Sequence, residues 1–148
     1  MIKISHRGNV DGPETDLENH PDYIDTAISL GYDVEIDLRV YKGDLFLGHD
    51  HPDHAIDLQW LHSRSEDIWI HAKDFNALDA LCETNLRYFY HDIESYTLLS
   101  NGLIWCHDIT NCNNKSVIPL IDKFDIIKYT EYNFVYGICS DYVKYIVP

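Results

Sequence analysis

Residues 33–50 read DVEIDLRVYKGDLFLGHD, and the reading of the fold begins there. Val34, Ile36 and Leu38 alternate with Glu35 and Asp37. A period of two places the apolar side chains on one face of a strand and the two carboxylates on the other. Tyr41-Lys42-Gly43-Asp44 is a tight turn, so a second strand, Leu45 to Gly48, follows without a helix and ends at His49. Two carboxylates on one face of a buried strand repel and are poorly solvated unless positive charge lies between them. A divalent cation supplies that charge, and carboxylate oxygens suit Mg²⁺, Mn²⁺ or Ca²⁺. The plainer alternative is an exposed face carrying two ordinary acids.

The same strand ending recurs along the chain. Ile2 to Ser5 precedes His6, Ile68 to Ile70 precedes His71, and Leu86 to Tyr90 precedes His91. Leu103 to Cys106 precedes His107, and Phe134 to Ser140 precedes Asp141. These runs are rich in β-branched and aromatic residues and read as strands, several apolar on both faces as parallel strands are. Helical spacing predicts a helix over Pro21 to Leu30, with Gly31 as its C-terminal cap, and another over Asn76 to Cys82. Short helices are expected over Ser95 to Leu99 and Ser116 to Phe124, and a seventh strand over Ile126 to Tyr129. Alternating strands and helices predict an α/β fold, a small, trimmed (β/α) TIM-type barrel with short or missing helices. Its active site would lie at the carboxyl ends of the strands. An open α/β sheet is the fallback.

The chain of 148 residues is read as a single domain over 1–148. Hydrophobic residues at 45% and charged residues at 24% exclude disorder. Eleven basic against 25 acidic residues give a net charge of −14, which excludes nucleic acid as a partner and favours divalent cations. No apolar run is long enough for a membrane span, and a signal peptide is not apparent, so a cytoplasmic location is expected. Four cysteines without CxxC spacing are expected to be reduced and mostly buried.

His6 is followed by Arg7 and Gly8. A histidine at a strand end can move protons near neutral pH, and an arginine fork fits a phosphate. Ile2, Ile4 and His6 alternate, as do Leu45, Leu47 and His49, so both histidines should point inward and form an acid/base couple. The order His6-Arg7-Gly8, Glu18-Asn19, Ala27-Ile28, Gly31, Glu35-x-Asp37, Gly43-Asp44 and His49-Asp50 resembles the signature of glycerophosphodiester phosphodiesterases. The likeness is strong over residues 1–51, fair at 68–74 and 136–142, and thin between. It implies a (β/α) barrel that hydrolyses a small-molecule phosphodiester with one divalent cation. It implies Glu35 and Asp37 as metal ligands, His6 and His49 as general acid and base, and Arg7 and Lys73 at the phosphate. Where that family places a third metal-binding glutamate, this chain has His71. Trp69, His71 and Lys73 alternate, so His71 should reach the same pocket as a third ligand, which makes Mn²⁺ or Zn²⁺ more plausible than Ca²⁺.

Other readings stand beside this one. Lys73, His91, His107 and Asp141 fall in the order of a zinc amidohydrolase, although that family's first-strand His-x-His is lacking. A degenerate barrel that only binds phosphate or metal is a second alternative. His91 and His107 are either substrate contacts or structural. The run His49-Asp50-His51-Pro52-Asp53-His54 is either a second metal site or an exposed loop. Missing helices would leave apolar surface for a homo-oligomer to cover.

Overall fold

The computed structural model describes residues 1–126 and 129–146. In chain order its elements are β1 (Ile2–His6), α1 (Pro21–Ser29), β2 (Asp33–Tyr41), β3 (Asp44–Leu47), β4 (His54–Ile56), α2 (Leu58–His62) and β5 (Ile68–Ala72). There follow α3 (Phe75–Cys82), β6 (Tyr88–Tyr90), β7 (Tyr96–Leu98), β8 (Ile104–Cys106), β9 (Ser116–Pro119), α4 (Lys123–Ile126) and β10 (Gly137–Ser140).

The long strand β2 organises the sheet. Val34 pairs with both Ser5 and Ile68, so β1 and β5 flank it on opposite edges. Leu38 pairs with both Leu47 and Ala72, so β3 takes over the edge that β1 leaves. Parallel pairing runs β6-β5-β2-β1-β10-β9-β8, and β3, β4 and β7 add antiparallel ladders.

The result is a curled, mixed, 10-stranded sheet, a half-barrel, and it corrects the expected TIM-type (β/α) barrel. Among the described residues only four α-helices accompany the strands, and two of them, α2 and α4, have five and four residues. The segment 95–99, expected as a helix, holds β7, and the segment 116–124 divides into β9 and α4. Tyr96-Thr97-Leu98 and Val117-Ile118 explain both outcomes. Their β-branched and aromatic side chains lose χ1 freedom in a helix and pack well on a pleated surface. The strand expected over 126–129 is also absent at its ends, where Ile126 closes α4 and Tyr129 opens a 3-10 turn; residues 127 and 128 lie outside the described residues.

The two longer helices form where caps and an apolar stripe coincide. In α1, the Nδ1 of His20 accepts from the Asp22 amide, Pro21 has no N–H that needs an acceptor, and Gly31 follows with φ +88°. In α3, Asp74 Oδ1 accepts from the Ala77 amide at 2.8 Å. Its Oδ2 accepts from Val40 at 3.2 Å, tying the helix start to β2. Ile24, Ala27, Ala77 and Leu81 pack on Val34, Ile36, Leu38, Ile68 and Ile70, which seals the convex face. The concave face carries Ile4, Trp69, Phe89, Trp105, Val117 and Cys139, drawn from six different strands.

Trp69 fills the floor of this curl. It is fully buried, its Nε1 donates to Asp33 Oδ2 at 2.8 Å, and the Arg87 guanidinium covers its ring at 3.8 Å. Trp69→Ala is expected to destabilise the protein by about 3–5 kcal/mol in urea unfolding. A loss under about 1 kcal/mol would mean that the site collapses without a cavity. All four cysteines are free; Cys106 and Cys139 are buried, but Cys82 is exposed and Cys112 half-buried, so burial is less general than expected. Among the described residues no helix is long and apolar enough to cross a membrane.

Candidate active site

Register builds the site in two rows. His6, Glu35 and Trp69 are neighbours across β1, β2 and β5, and Asp37, His71 and Phe89 are neighbours across β2, β5 and β6. Glu35 and Asp37 therefore share the concave face, as their spacing predicts, and both are buried. The ligand atoms of Glu35, Asp37 and His71 all lie within 4.8 Å of one another. One oxygen of each carboxylate, Glu35 Oε2 and Asp37 Oδ1, is buried without a hydrogen-bond partner.

His71 sharpens this picture. Its Nε2 lies 3.2 Å from the His91 carbonyl oxygen, which can only accept, so Nε2 carries the hydrogen. Its Nδ1 faces Asp37 Oδ1 at 3.3 Å and Glu35 Oε1 at 3.7 Å. If Nδ1 is also protonated, the ring is itself the cation. If it is not, a lone pair faces two carboxylates, an arrangement that a divalent cation would satisfy. The donor set thus fits a metal: two carboxylates and one imidazole, with the imidazole's far nitrogen fixed by a backbone carbonyl.

The two acids are driven apart. Burial and the neighbouring Asp37 push the Glu35 carboxyl above its ordinary range. Burial acts the same way on Asp37, but His71 and the Arg7 charge outweigh it and hold that carboxyl well below the usual carboxylate range. Arg7 Nε sits 2.9 Å from Asp37 Oδ2, as an ion pair whose N–H is not aimed along the contact. Lys73 Nζ is 3.7 Å from Asp37 Oδ1. Asn19 braces the same acid twice: its Nδ2 donates to Oδ2, and its Oδ1 accepts from the Asp37 amide, each at 2.9 Å.

The turn after β1 is tight. Arg7 adopts φ +56°, and a Cβ on Gly8 would meet the Tyr23 ring at 2.6 Å. The glycine therefore lets the Tyr23 ring pack against the turn. A non-glycine residue at left-handed φ stores strain, which is tolerated where surrounding contacts over-determine it. Here the Arg7 amide donates to the Glu35 carbonyl at 2.9 Å, and its guanidinium donates to Glu18 Oε2 at 3.0 Å. A phosphate would share the Arg7 guanidinium with Glu18 and Asp37.

His6, Arg7, Glu35, His49, His71 and Lys73 line one cavity of about 290 Å³, with Asp37 buried beneath it. Phe89, Trp105, His91 and His107 line it as well. His71 stacks on Phe89 at 4.8 Å, and His91 stacks on His107 at 3.9 Å. Burial and the neighbouring His91 push the His107 imidazole down to about 4, so it is neutral at pH 7. Burial likewise lowers His91 and His49.

Sequence reasoning left Asp141 without its partner. The Nδ1 of His6 donates to Asp141 Oδ1 at 2.7 Å, and Asn9 Nδ2 donates to the same oxygen at 2.8 Å and to Glu18 Oε1 at 2.9 Å. Burial lowers His6, but the Asp141 hydrogen bond and the Glu35 charge outweigh it, and the net shift is upward. The signal was the polar residue closing the last strand. Pairing it with His6 needs the β1–β10 register, in which Ser5 faces Ser140.

The amidohydrolase ligands His91, His107 and Asp141 do not converge as a metal-binding group among the described residues, nor do the acids and histidines of 49–54. Glu35, Asp37 and His71 form the one such group there. Compared with models of protein families, with curated proteins and with solved structures, the chain matches none.

Proposed function

We propose that the protein is a metal-dependent phosphodiester hydrolase acting on small glycerophosphodiester-like substrates. The observation that supports it best is the convergence of two buried carboxylates and one imidazole beside Arg7 and Lys73, in a cavity that His6 and His49 also line. Glu35, Asp37 and His71 would hold one divalent cation, which when bound neutralises phosphate charge and polarises the P–O bond. Arg7 and Lys73 orient the phosphate and offset charge building on its oxygens. One of His6 and His49 takes the proton from the attacking hydroxyl, of water or of the substrate itself. The other gives a proton to the departing alkoxide as the P–O bond breaks.

Turnover tests this reading. Chelator-stripped protein should be inactive on glycerophosphodiesters, and activity should return with Mn²⁺ or Zn²⁺ more than with Ca²⁺, because His71 supplies nitrogen. Equal turnover with and without chelator would remove the metal from the reaction. Cation binding without turnover on any phosphodiester would replace the hydrolase with a binding protein.

A further inference from the structure

We infer that Arg39 is the positioning residue for His49, through the backbone and not through the imidazole. The catalytic half of this inference rests on the proposed hydrolase; the structural half does not. Arg39 follows Glu35 and Asp37 on the same face of β2. Its Nε donates to the carbonyl oxygens of Gly48 and His49, each at 3.1 Å, and a terminal nitrogen also donates to the His49 carbonyl. One planar fork thus grips two successive peptide units, which a lysine point charge cannot do. The Gly48 amide donates to the Asp37 carbonyl at 3.0 Å, so the metal-ligand strand and the His49 segment are joined at two adjacent places. Gly48 itself has φ +150°, and a Cβ there would collide with the His51 carbonyl oxygen.

The imidazole has little else to fix it. The His49 side chain is 39% exposed, and its Nδ1 partner, Asp50, is 80% exposed. Exposed pairs of this kind hold geometry weakly. Where the His49 ring sits therefore follows from where its backbone is pinned, and Arg39 does the pinning.

Hydrogen exchange and a double-mutant cycle test this together. In Arg39→Met, which keeps the apolar stem, the Gly48 amide should exchange at least about tenfold faster, while amides of β1, β5 and β10 keep their protection. On an alkyl phosphodiester, kcat should fall about 10- to 100-fold with KM little changed, the scale of a misplaced catalytic group. In the His49→Ala background the same substitution should change kcat less than about twofold, because it acts through the missing ring. Arg39→Lys should fold normally and give intermediate exchange and rate. Unchanged Gly48 exchange in Arg39→Met overturns the inference whether or not the protein proves to be a hydrolase. Equal rate losses in both backgrounds overturn its catalytic half, and so does a Lys variant with wild-type exchange and rate. Should Arg39→Met fail to fold, Arg39→Lys carries the exchange and rate comparison alone. A wild-type protein without turnover sinks the proposed function and leaves the exchange result to decide the pinning.

Discussion

Glu35→Gln with Asp37→Asn should abolish divalent-cation binding while the sheet remains folded. Removing an outer partner of a metal ligand already costs about 10- to 100-fold in affinity, so losing two charged ligands together should exceed a hundredfold. Calorimetry with Mn²⁺ measures it, and near-normal binding by the double variant would move the metal elsewhere. The single variants should differ in stability, because the two acids sit in different fields. Glu35 is raised by burial and by Asp37, so its charged form is disfavoured in the fold. A raised carboxyl takes stability away as pH climbs through its folded value, so metal-free Glu35→Gln should be more stable than wild type at pH 7. Asp37 is held low by His71 and Arg7, so its charge stabilises the fold above the ordinary aspartate range and that stability is lost on acidification. Asp37→Asn leaves Arg7 and Lys73 facing a neutral amide and should be less stable. Denaturant unfolding in excess chelator separates the two signs.

That asymmetry was out of reach of the sequence, although the pair itself was not. Glu35 and Asp37 were legible because a period of two is a local property of one strand, and every neighbour needed to read it lies within residues 33–41. His71 was legible for the same reason, through Trp69 and Lys73. The sign of each acid's shift depends on Arg7, His71 and Asn19, which reach β2 from other elements. The His6–Asp141 contact spans 135 residues and exists only because β10 pairs with β1. The strands at 96–98 and 116–119 differ from the helices expected there for the opposite reason. Short apolar runs such as 96–98 and 116–119 fit a helix or a strand equally by pattern, and a (β/α) rhythm read from the longer elements tipped both toward helix. The segments 91–95 and 107–115 are polar and carry no α-helix, so the sheet curls without the helical layer that a barrel of that type needs.

His6→Ala and His49→Ala should each lower kcat by about 10²- to 10⁴-fold on an alkyl phosphodiester, the usual worth of acid or base catalysis. The double variant should lose less than the product of the two, because groups that act on one reacting centre are not additive. Full activity in either single variant would remove that histidine from the reaction. Asp141 adds a finer test. Its carboxylate accepts from His6 Nδ1, which turns Nε2 toward Glu35, 3.9 Å away, and the cavity. Asn9 fixes Asp141 in turn, so the imidazole is aimed by a buried network and not by packing alone. Asp141→Asn keeps the shape but removes the charge and the acceptor that favour an Nδ1–H tautomer. It should cost much of what His6→Ala costs, and almost nothing in a His6→Ala background. It should also move the pH limb that His6 governs to lower pH, because the Asp141 hydrogen bond is the chief influence raising that imidazole against its burial. If the limb stays in place while the rate falls, Asp141 serves the fold, and the proton that His6 moves is set by Glu35 instead.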